Sequence, residues 1–183
     1  MGVLNINNLK ANLRYGGARP TLYQVQIHNP VAAGADLKTP FMVQAASLPA
    51  WTVGQIDVPY MGRRLPFPGD RQFQPWMVEV INDEDFLVRN AFETWNNKLN
   101  LVEENTRDFA SSEAKEYTST ATITQISKTG RRLRTYEFLN VWPQMVGEIQ
   151  MSWQAENQIE VFPVVLLYDS YRVTGATGSA GGV

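Results

Sequence analysis

The sequence lacks cysteine altogether and has a single histidine among its 183 residues. Without cysteine the chain can form neither disulfides nor thiolate metal sites, and it has no cysteine nucleophile. The lone histidine, His28, has no second imidazole with which to build a histidine metal cluster. We therefore expect no metal and no cofactor, and a fold held together by its apolar core.

Long apolar runs and an excess of one charge are also missing. No apolar stretch approaches the roughly 18 residues of a membrane-spanning helix, and residues 1–8 lack the basic and apolar segments of a secretory signal. Sixteen basic residues against 18 acidic ones give a formal net charge of −2. Overall charge therefore does not favour nucleic-acid binding. We expect a soluble protein that is neither exported through a signal peptide nor inserted in a membrane.

The composition that is present, 44% hydrophobic and 11% aromatic, suits one globular domain with a sizeable core. Residues 1–17 are rich in asparagine and end in two glycines, so we predict an N-terminal arm that becomes ordered against a partner. Residues 174–183 are small and are predicted to form a flexible C-terminal tail. The β domain is expected to occupy residues 18–173.

Alternation of apolar and polar residues predicts β-strands along most of this domain. The predicted strands cover residues 21–28, 41–46, 55–58, 76–81, 117–126, 131–142, 149–153 and 160–168. A turn at residues 128–130 joins two of them as a hairpin, and Pro143 is expected to end its second arm. Another hairpin is predicted around residues 156–157, with Pro163 at an edge or a bulge. The predicted fold is mainly β, an antiparallel β-sandwich or barrel with one flanking α-helix.

That helix is predicted from an apolar stripe at spacings of three and four residues. The stripe consists of Val88, Phe92, Trp95 and Leu99. Asn82 is the predicted N-cap, and the acidic residues 83–85 would lie in the first turn, where the helix dipole favours negative charge. Neighbouring residues on a helix do not face one another, so we do not expect these carboxylates to bind a metal or act as an acid–base pair.

Residues 59–73 crowd proline and glycine around basic and aromatic side chains. Proline restricts the backbone and glycine allows left-handed turns, which indicates a shaped loop and not a flexible linker. Such a loop suits contact with a partner chain. The predicted contact residues are Tyr60, Arg63, Arg64, Phe67, Asp70, Arg71 and Phe73. Next to the turn at 128–130, Arg131, Arg132 and Arg134 are predicted to reach a rim or a neighbouring subunit.

No set of nucleophile, base and oxyanion donors is recognisable, so we predict that the protein is not an enzyme and has no catalytic residue. His28 has no serine, aspartate or second histidine within its strand. Gly62 and Gly69 match neither a phosphate-binding loop nor a dinucleotide fingerprint. Two other classes stay open: a hydrolase would need a convergent polar site, and a monomeric β-barrel carrier would enclose a small ligand in an apolar pocket.

Sequence blocks between residues 18 and 171 resemble one family. They include Ala18-Arg19-Pro20-x-Leu22-Tyr23-Gln24-Val25, Pro68-Gly69-Asp70-Arg71-x-Phe73, Trp76-x-Val78-x-Val80-Ile81-Asn82-Asp83-Glu84, and Val141-Trp142-Pro143-x-x-Val146-Gly147-Glu148-Ile149-x-x-x-Trp153. Their order and spacing resemble the major tail tube proteins of contractile-tailed, T-even-like bacteriophages. Related tubes occur in R-type bacteriocins and type VI secretion systems.

This resemblance implies the phage tail tube fold and a structural role in the virion. Homohexameric rings would stack into a hollow conduit for double-stranded DNA during ejection. The implied partners are further copies of the chain, the tail sheath protein, and baseplate and tube-terminating proteins, with assembly in the host cytoplasm. A tube-initiating baseplate protein and a tube subunit of a related contractile injection system are the alternatives.

A channel that passes DNA should have a neutral or acidic wall, because phosphates adhere to basic surfaces. The strand at residues 117–126 is rich in hydroxyl groups, contains no lysine or arginine, and pairs with a strand that carries an acid and an amide. We therefore predict that these two strands line the lumen. The predicted lumen-facing residues are Thr118, Thr120, Thr122, Thr124, Glu137 and Asn140.

Overall fold

The computed structural model describes residues 5–13, 17–107 and 114–175. Its strands are β1 Tyr23–Ile27, β2 Val43–Ala46, β3 Trp51–Tyr60, β4 Arg63–Phe73, β5 Trp76–Ile81, β6 Ser119–Ile126, β7 Arg132–Val146, β8 Val161–Leu167 and β9 Ser170–Gly175. Its helices are α1 Ile6–Asn12, α2 Thr39–Met42, α3 Leu87–Leu99 and α4 Ala114–Tyr117, with a 3₁₀ turn at Ala33–Ala35. The predicted fold class, mainly β and antiparallel, is confirmed. Most of the predicted C-terminal tail, residues 176–183, lies outside the described residues.

Seven strands form one antiparallel sheet in the order β1-β6-β7-β8-β5-β2, with β9 also paired to β7. Strand β7 belongs to both halves of this sheet: its first half pairs with β6 and β9, and its second half pairs with β8. Between the halves the register with β6 shifts, and Asn140 has a φ of 55°. Asparagine tolerates this left-handed conformation, so a β-bulge lets one strand serve both halves.

The two halves of the sheet enclose one core. Trp76, from β5, stacks on Phe138, from β7, with ring centroids 4.2 Å apart and an interplanar angle of 20°. The indole N–H of Trp76 donates a hydrogen bond to the carbonyl of Ser47 at 2.8 Å. Strand β8 contributes every second residue to the same core: Phe162, Val164 and Leu166. Both rings are almost fully buried, so this pair ties the two halves of the sheet together.

The apolar stripe of α3 is confirmed, but the predicted start of the helix is wrong. Val88, Phe92 and Trp95 are buried, and Leu99 packs against the core. The helix begins at Leu87, after Phe86 with a φ of 51°. Asn82 instead extends the pairing of β5 with β8, because its backbone N–H donates to the carbonyl of Glu160 at 2.8 Å. This strand pairing holds Asn82 in place and delays the helix.

Both proline predictions in the sheet need correction. Strand β7 continues through Pro143 to Val146, since the register with β8 shifts between Pro143 and Met145 and a bulge accommodates proline. Pro163 lies within β8, between β5 and β7, and not at an edge. The Pro163 carbonyl accepts from the Gly147 N–H at 2.7 Å, just beyond the last residue of β7. The nitrogen and carbonyl of one residue in an antiparallel strand face the same side, so the missing N–H of Pro163 removes no bond to β5.

Three strand assignments also differ from the sequence prediction. Residues 39–42 form helix α2, with Pro40 near its start, and only residues 43–46 continue as a strand. Residues 149–153 are not a strand, so the hairpin predicted around residues 156–157 is absent, and residues 147–160 form a loop between β7 and β8. Strand β9, from Ser170 to Gly175, was not predicted.

Gly147, at the start of that loop, gives a test of how tightly this region packs. A Cβ atom there would lie 2.4 Å from Pro163 Cγ and 2.8 Å from its carbonyl oxygen. We expect Gly147→Ala to lower the free energy of unfolding by about 1–3 kcal/mol. Gly34→Ala is the matched control, because no atom lies within 4 Å of its added Cβ. Equal urea midpoints for the two variants would contradict the expected clash.

Candidate assembly surfaces

Strands β3 and β4 form a two-stranded hairpin outside the main sheet. Residues 59–73, predicted as a loop, are the end of β3, a tight turn and the whole of β4. The turn residues Met61 and Gly62 have φ values of 44° and 80°, as in a type I′ hairpin. Because both strands of an isolated pair are edge strands, a proline nitrogen can face outward without losing a bond. This explains how a proline-rich segment forms a strand.

One face of this hairpin is apolar, and we call it the apolar hairpin face. Ile56 lies opposite Phe67, Val58 lies opposite Leu65, and Tyr60 lies opposite Arg63. The other face carries Gln55, Asp57, Pro59, Arg64, Pro66 and Pro68. All five apolar side chains of the first face are exposed. A contiguous exposed apolar surface of this kind indicates a protein–protein contact.

The remaining predicted contact residues of this segment lie at the base of the hairpin. The Arg71 guanidinium lies over the Trp51 ring, 4.5 Å from its centroid. Phe73 is half-buried, and its ring centroid lies 5.7 Å from that of Tyr168 and 5.8 Å from that of Tyr171. Phe73 therefore anchors the hairpin to the domain. Asp70 is exposed, beside the bulge where Gly69 crosses close to Gly54.

A second surface is formed by β1, β6, β7 and β9, and we call it the polar sheet face. One row across the strands is Gln24, Thr124, Thr135 and Thr174, and the next row is Gln26, Thr122, Glu137 and Arg172. The Oγ1 atoms of Thr124 and Thr135 lie 3.0 Å apart, within hydrogen-bond distance. The alternate residues of the same strands point into the core. The sheet is thus amphipathic, with one polar face on which Thr124 is buried and the other residues of the two rows are exposed or half-buried.

Four of the predicted lumen residues, Thr120, Thr122, Thr124 and Glu137, share the polar sheet face. Thr118 lies before β6, in the link from α4. Asn140 lies at the bulge of β7, and its amide donates to the Asp169 carboxylate at 2.7 Å. Arg172 lies directly opposite Glu137 and was missed because β9 was not predicted. The alternation of Tyr171 and Val173 with polar neighbours is the signal that would have revealed this strand.

The three arginines near the β6–β7 turn occupy different positions. Arg134 lies on the core side of the sheet, with its guanidinium 5.4 Å from the Tyr136 ring centroid. Arg132 is exposed at the start of β7. Arg131 lines a groove of about 400 Å³ together with Arg19 and Lys128. The end of the domain at this turn is therefore basic.

The acidic residues predicted to cap the helix pair with a lysine instead. Lys38 Nζ lies 2.6 Å from Asp83 Oδ2 and 2.5 Å from Asp85 Oδ2. Hydrogen bonds from Lys38 lower the pKa of both carboxyl groups, and the bonds to Asp83 and Asp85 raise the pKa of Lys38. Asp85 keeps part of the predicted capping role, because its other oxygen accepts from the Leu87 N–H at 3.0 Å.

Replacing Lys38 by methionine should lower stability slightly and only within a pH window. Folding lowers the pKa of the two carboxyl groups from the ordinary value of 3.8. The charged carboxylates therefore stabilise the folded state at pH values above 3.8, and this stabilisation is lost as pH falls through the folded-state pKa. Folding raises the pKa of the Lys38 ammonium group above the ordinary value of 10.5. Its contribution to stability is therefore present at pH values below 10.5 and is lost as pH rises through the folded-state pKa. Urea midpoints of both proteins across this range measure the effect. A difference that persists unchanged into acid would contradict it.

Within residues 5–13, 17–107 and 114–175, no group of three or more histidine, cysteine or acidic side chains is placed to hold a metal ion. Across the same residues, every helix is too short or too polar to cross a membrane. What the geometry offers is a polar sheet face and an exposed apolar hairpin. These features define a structural subunit that associates through its surfaces.

The phage tail tube protein family matches residues 18–174, and the chain belongs to this family. It is 31% identical over 156 residues to the tail tube protein gp19 of Enterobacteria phage T4, covering 85% of this chain and 91% of that protein. The fold is similar to the tube-terminating cap of the anti-feeding prophage, with a TM-score of 0.64 at 15% identity, covering 96% of this chain and all of that one. It is also similar to a chain of the PVC sheath–tube complex, with a TM-score of 0.58 at 14% identity, covering 94% and 99%. The predicted family and the role of structural tail tube subunit are confirmed.

Proposed function

We propose that this chain forms homohexameric rings that stack into a hollow tube, and that the tube conducts double-stranded DNA during ejection. The polar sheet face carries this proposal. Its outer strands, β1 and β9, each pair on one side only among the described residues. An open strand edge carries unpaired N–H and C=O groups that another chain can satisfy. Pairing β9 of one subunit with β1 of the next would close a barrel.

The chemistry of the polar sheet face suits a channel wall. The two rows across its strands present hydroxyl and amide groups, with a single acid, Glu137, and a single base, Arg172, at paired positions. The face is therefore close to neutral. Phosphates bind basic surfaces by releasing counterions, and here they would meet no continuous basic stripe. DNA would pass along such a wall without being held.

The apolar hairpin face would make the contacts between subunits. It is exposed in the single chain, and a ring or a stack of rings would remove it from water.

The partners of the tube would be the tail sheath, baseplate and tube-terminating proteins. A structure of the assembled tube tests the whole proposal, because it shows which side chains point at the tube axis. Sedimentation of only a 20.6 kDa monomer at high concentration would contradict it.

The two neighbouring arginines at the hairpin tip provide a sharper test. Arg63 lies on the apolar hairpin face, whereas Arg64, opposite Pro59, lies on the other face. We expect the double replacement of both by glutamate to weaken polymerisation about as much as Arg63→Glu alone, because only Arg63 lies on the apolar hairpin face. Arg63→Glu alone should raise the concentration needed for assembly roughly tenfold, because it replaces a positive charge within the contact by a negative one. Arg64→Glu is the matched control, and an equal effect of the two single changes would argue against this face.

A further inference from the structure

The loop at residues 147–160, between β7 and β8, presents a fully exposed aromatic side chain. Trp153 has a relative accessibility of 104%. It lies in a tight turn, because the carbonyl of Ser152 accepts from the Ala155 N–H at 3.1 Å. Tryptophan is enriched among the residues that anchor protein–protein contacts, and a side chain already held in place loses less entropy when it docks. Trp153 therefore has the position and the chemistry of a contact anchor.

Both ends of this loop are fixed to the domain. The Arg89 guanidinium donates to the carbonyl of Gly147 at 3.1 Å, and the Asn82 amide donates to the Glu160 carboxylate at 2.7 Å. Ile149, near the start of the loop, packs against the core. The loop therefore keeps its place at the end of the domain where β7 stops.

The same loop is acidic, and we call residues 147–160 the acidic loop. It contains no lysine or arginine and three acidic residues, Glu148, Glu156 and Glu160. Met151 and Ile159 are exposed and lie beside two of these acids. A surface that binds this loop should therefore be basic, and it should offer an apolar recess for the indole ring of Trp153.

The groove at the β6–β7 turn has both properties, and we call it the basic groove. Its lining includes no acidic residue and three basic ones, Arg19, Lys128 and Arg131. Three half-buried apolar side chains also line it: Leu22, Ile126 and Leu133. Its volume of about 400 Å³ lies within the range of roughly 300–1,000 Å³ that is usual for pockets that bind a ligand. The groove therefore has room for one indole ring.

Hydrogen bonds within the turn hold one wall of the basic groove in shape. The Ser127 carbonyl accepts from the Gly130 N–H at 3.0 Å. The Ser127 hydroxyl accepts from the N–H groups of Thr129 and Arg131 at 3.2 and 3.1 Å. This wall is thus formed in the single chain. The cationic side chains of the groove can also attract the face of an indole ring.

The acidic loop and the basic groove lie at opposite ends of β7. The groove adjoins the first residue of this strand, Arg132, and the loop follows its last residue, Val146. The 15 residues of β7 extend roughly 45 Å along the strand. Trp153 therefore cannot enter the basic groove of its own chain, whereas it can enter that of a second copy.

Other pairings of these surfaces match less well. The apolar hairpin face could cover Trp153, but it offers a single positive charge, Arg63. The phosphates of DNA could bind the three basic residues of the basic groove, but they would leave its apolar side chains without a partner. The acidic loop is complementary to the basic groove in both charge and apolar surface.

We propose that the acidic loop of one subunit docks on the basic groove of a second copy of the chain, with the Trp153 ring in the groove. This inference rests on the proposed assembly, because it needs a neighbour. Contact between two different surfaces at opposite ends of a subunit is head-to-tail, so it propagates along a stack. The acidic loop would thus link successive rings.

Truncation of the anchor tests the contact. Trp153→Ala should raise the concentration needed for assembly roughly tenfold to a hundredfold, because it removes the side chain that fills the groove. Val102→Ala is the matched control, since Val102 is 85% exposed and lies outside both surfaces. Sedimentation measures assembly of both variants. Tubes that form from Trp153→Ala at the wild-type concentration would overturn this inference, leave the tube intact and assign the acidic loop to another tail protein.

A charge exchange gives a second readout. Glu156→Lys and Lys128→Glu should each raise the assembly concentration about twofold to fivefold, because each brings like charges together. A chain with both changes should recover most of this loss. Glu104→Lys, at an exposed acid outside the loop, is the control and should not rescue Lys128→Glu. Equal rescue by both would overturn the inference. So would a Lys128→Glu chain that assembles normally but passes DNA differently, which would assign the basic groove to phosphates.

Cross-linking tests the arrangement of the two surfaces, because the natural chain has no cysteine. Gln154→Cys and Ala18→Cys are made in two separate preparations that carry tags of different size, then mixed, assembled and treated with a short bismaleimide. Gln154 adjoins Trp153, and Ala18 lines the basic groove; both are exposed. We expect a cross-linked heterodimer. Val102→Cys replaces Gln154→Cys in the control and should give no more than background linkage.

The outcomes separate this inference from the proposed function. Tubes that form without the heterodimer, or a chain with both cysteines that links only within itself, would overturn the inference and leave the tube intact. A wild-type chain that forms neither rings nor tubes would overturn the proposed function and this inference with it.

Discussion

Phe67→Asp should abolish tube formation while leaving the domain folded. Phe67 is 50% exposed and lies opposite Ile56 at the centre of the apolar hairpin face. Loss of a central aromatic anchor costs about 2–4 kcal/mol at a contact, and the buried carboxylate adds a desolvation penalty. Together these raise the assembly concentration by roughly a hundredfold or more. The core is untouched, because Phe67 is not among the core residues and, within the described residues, β3 and β4 pair only with each other.

The control for this experiment uses the opposite face of the same hairpin. Gln55→Asp adds the same charge in the neighbouring position of β3, where the side chain lies opposite Pro68. Its assembly concentration should stay within a few fold of the wild-type value, as for most surface changes. Sedimentation and electron micrographs measure assembly, and thermal unfolding checks that both variants fold. Wild-type tubes from Phe67→Asp would contradict the role of the apolar hairpin face.

Trp76→Ala should have the largest effect on stability, lowering the free energy of unfolding by about 3–5 kcal/mol. The substitution removes the ring that stacks on Phe138 and the N–H that bonds to the Ser47 carbonyl, and it leaves a cavity between the two halves of the sheet. The total free energy of unfolding of a domain of this kind is about 5–15 kcal/mol, so the variant would be close to unfolding at moderate temperature.

Trp153→Ala makes the same chemical change on the surface and serves as the control. Trp153 is fully exposed in the single chain, so its truncation should change the stability of the monomer by no more than about 0.5 kcal/mol. Urea unfolding below the assembly concentration compares the two variants. A similar loss of stability for both would show that the stacked pair does not hold the core.

The sequence predicted the amphipathic strands well because their alternation reflects local burial. It failed where tertiary pairing decided the outcome. Residues 59–73 read as a loop because proline usually breaks a sheet, yet in a two-stranded hairpin every strand is an edge. Asn82 has the chemistry of an N-cap, but its hydrogen bonds with Glu160, the residue just before β8, override it. A single sequence contains no sign of such long-range partners.

The candidate surfaces were likewise predictable in part. The hydroxyl-rich strand fixed the side on which Thr120, Thr122 and Thr124 would lie, because side chains alternate strictly along a strand. Asn140 does not follow that rule, since the bulge of β7 shifts the register of the strand at this residue and interrupts the alternation of its side chains. The sequence predicts the same contact role for Arg63 and Arg64, although their pairing with Tyr60 and Pro59 places them on opposite faces.

The continuity of β7 through both halves of the sheet has a mechanical consequence. A tensile force along this strand loads its ladder with β6 and β9 in shear, and the covalent backbone transmits the same force to its ladder with β8. The hydrogen bonds of both ladders then resist the force together, instead of breaking one after another. A subunit built this way should stretch little before it yields.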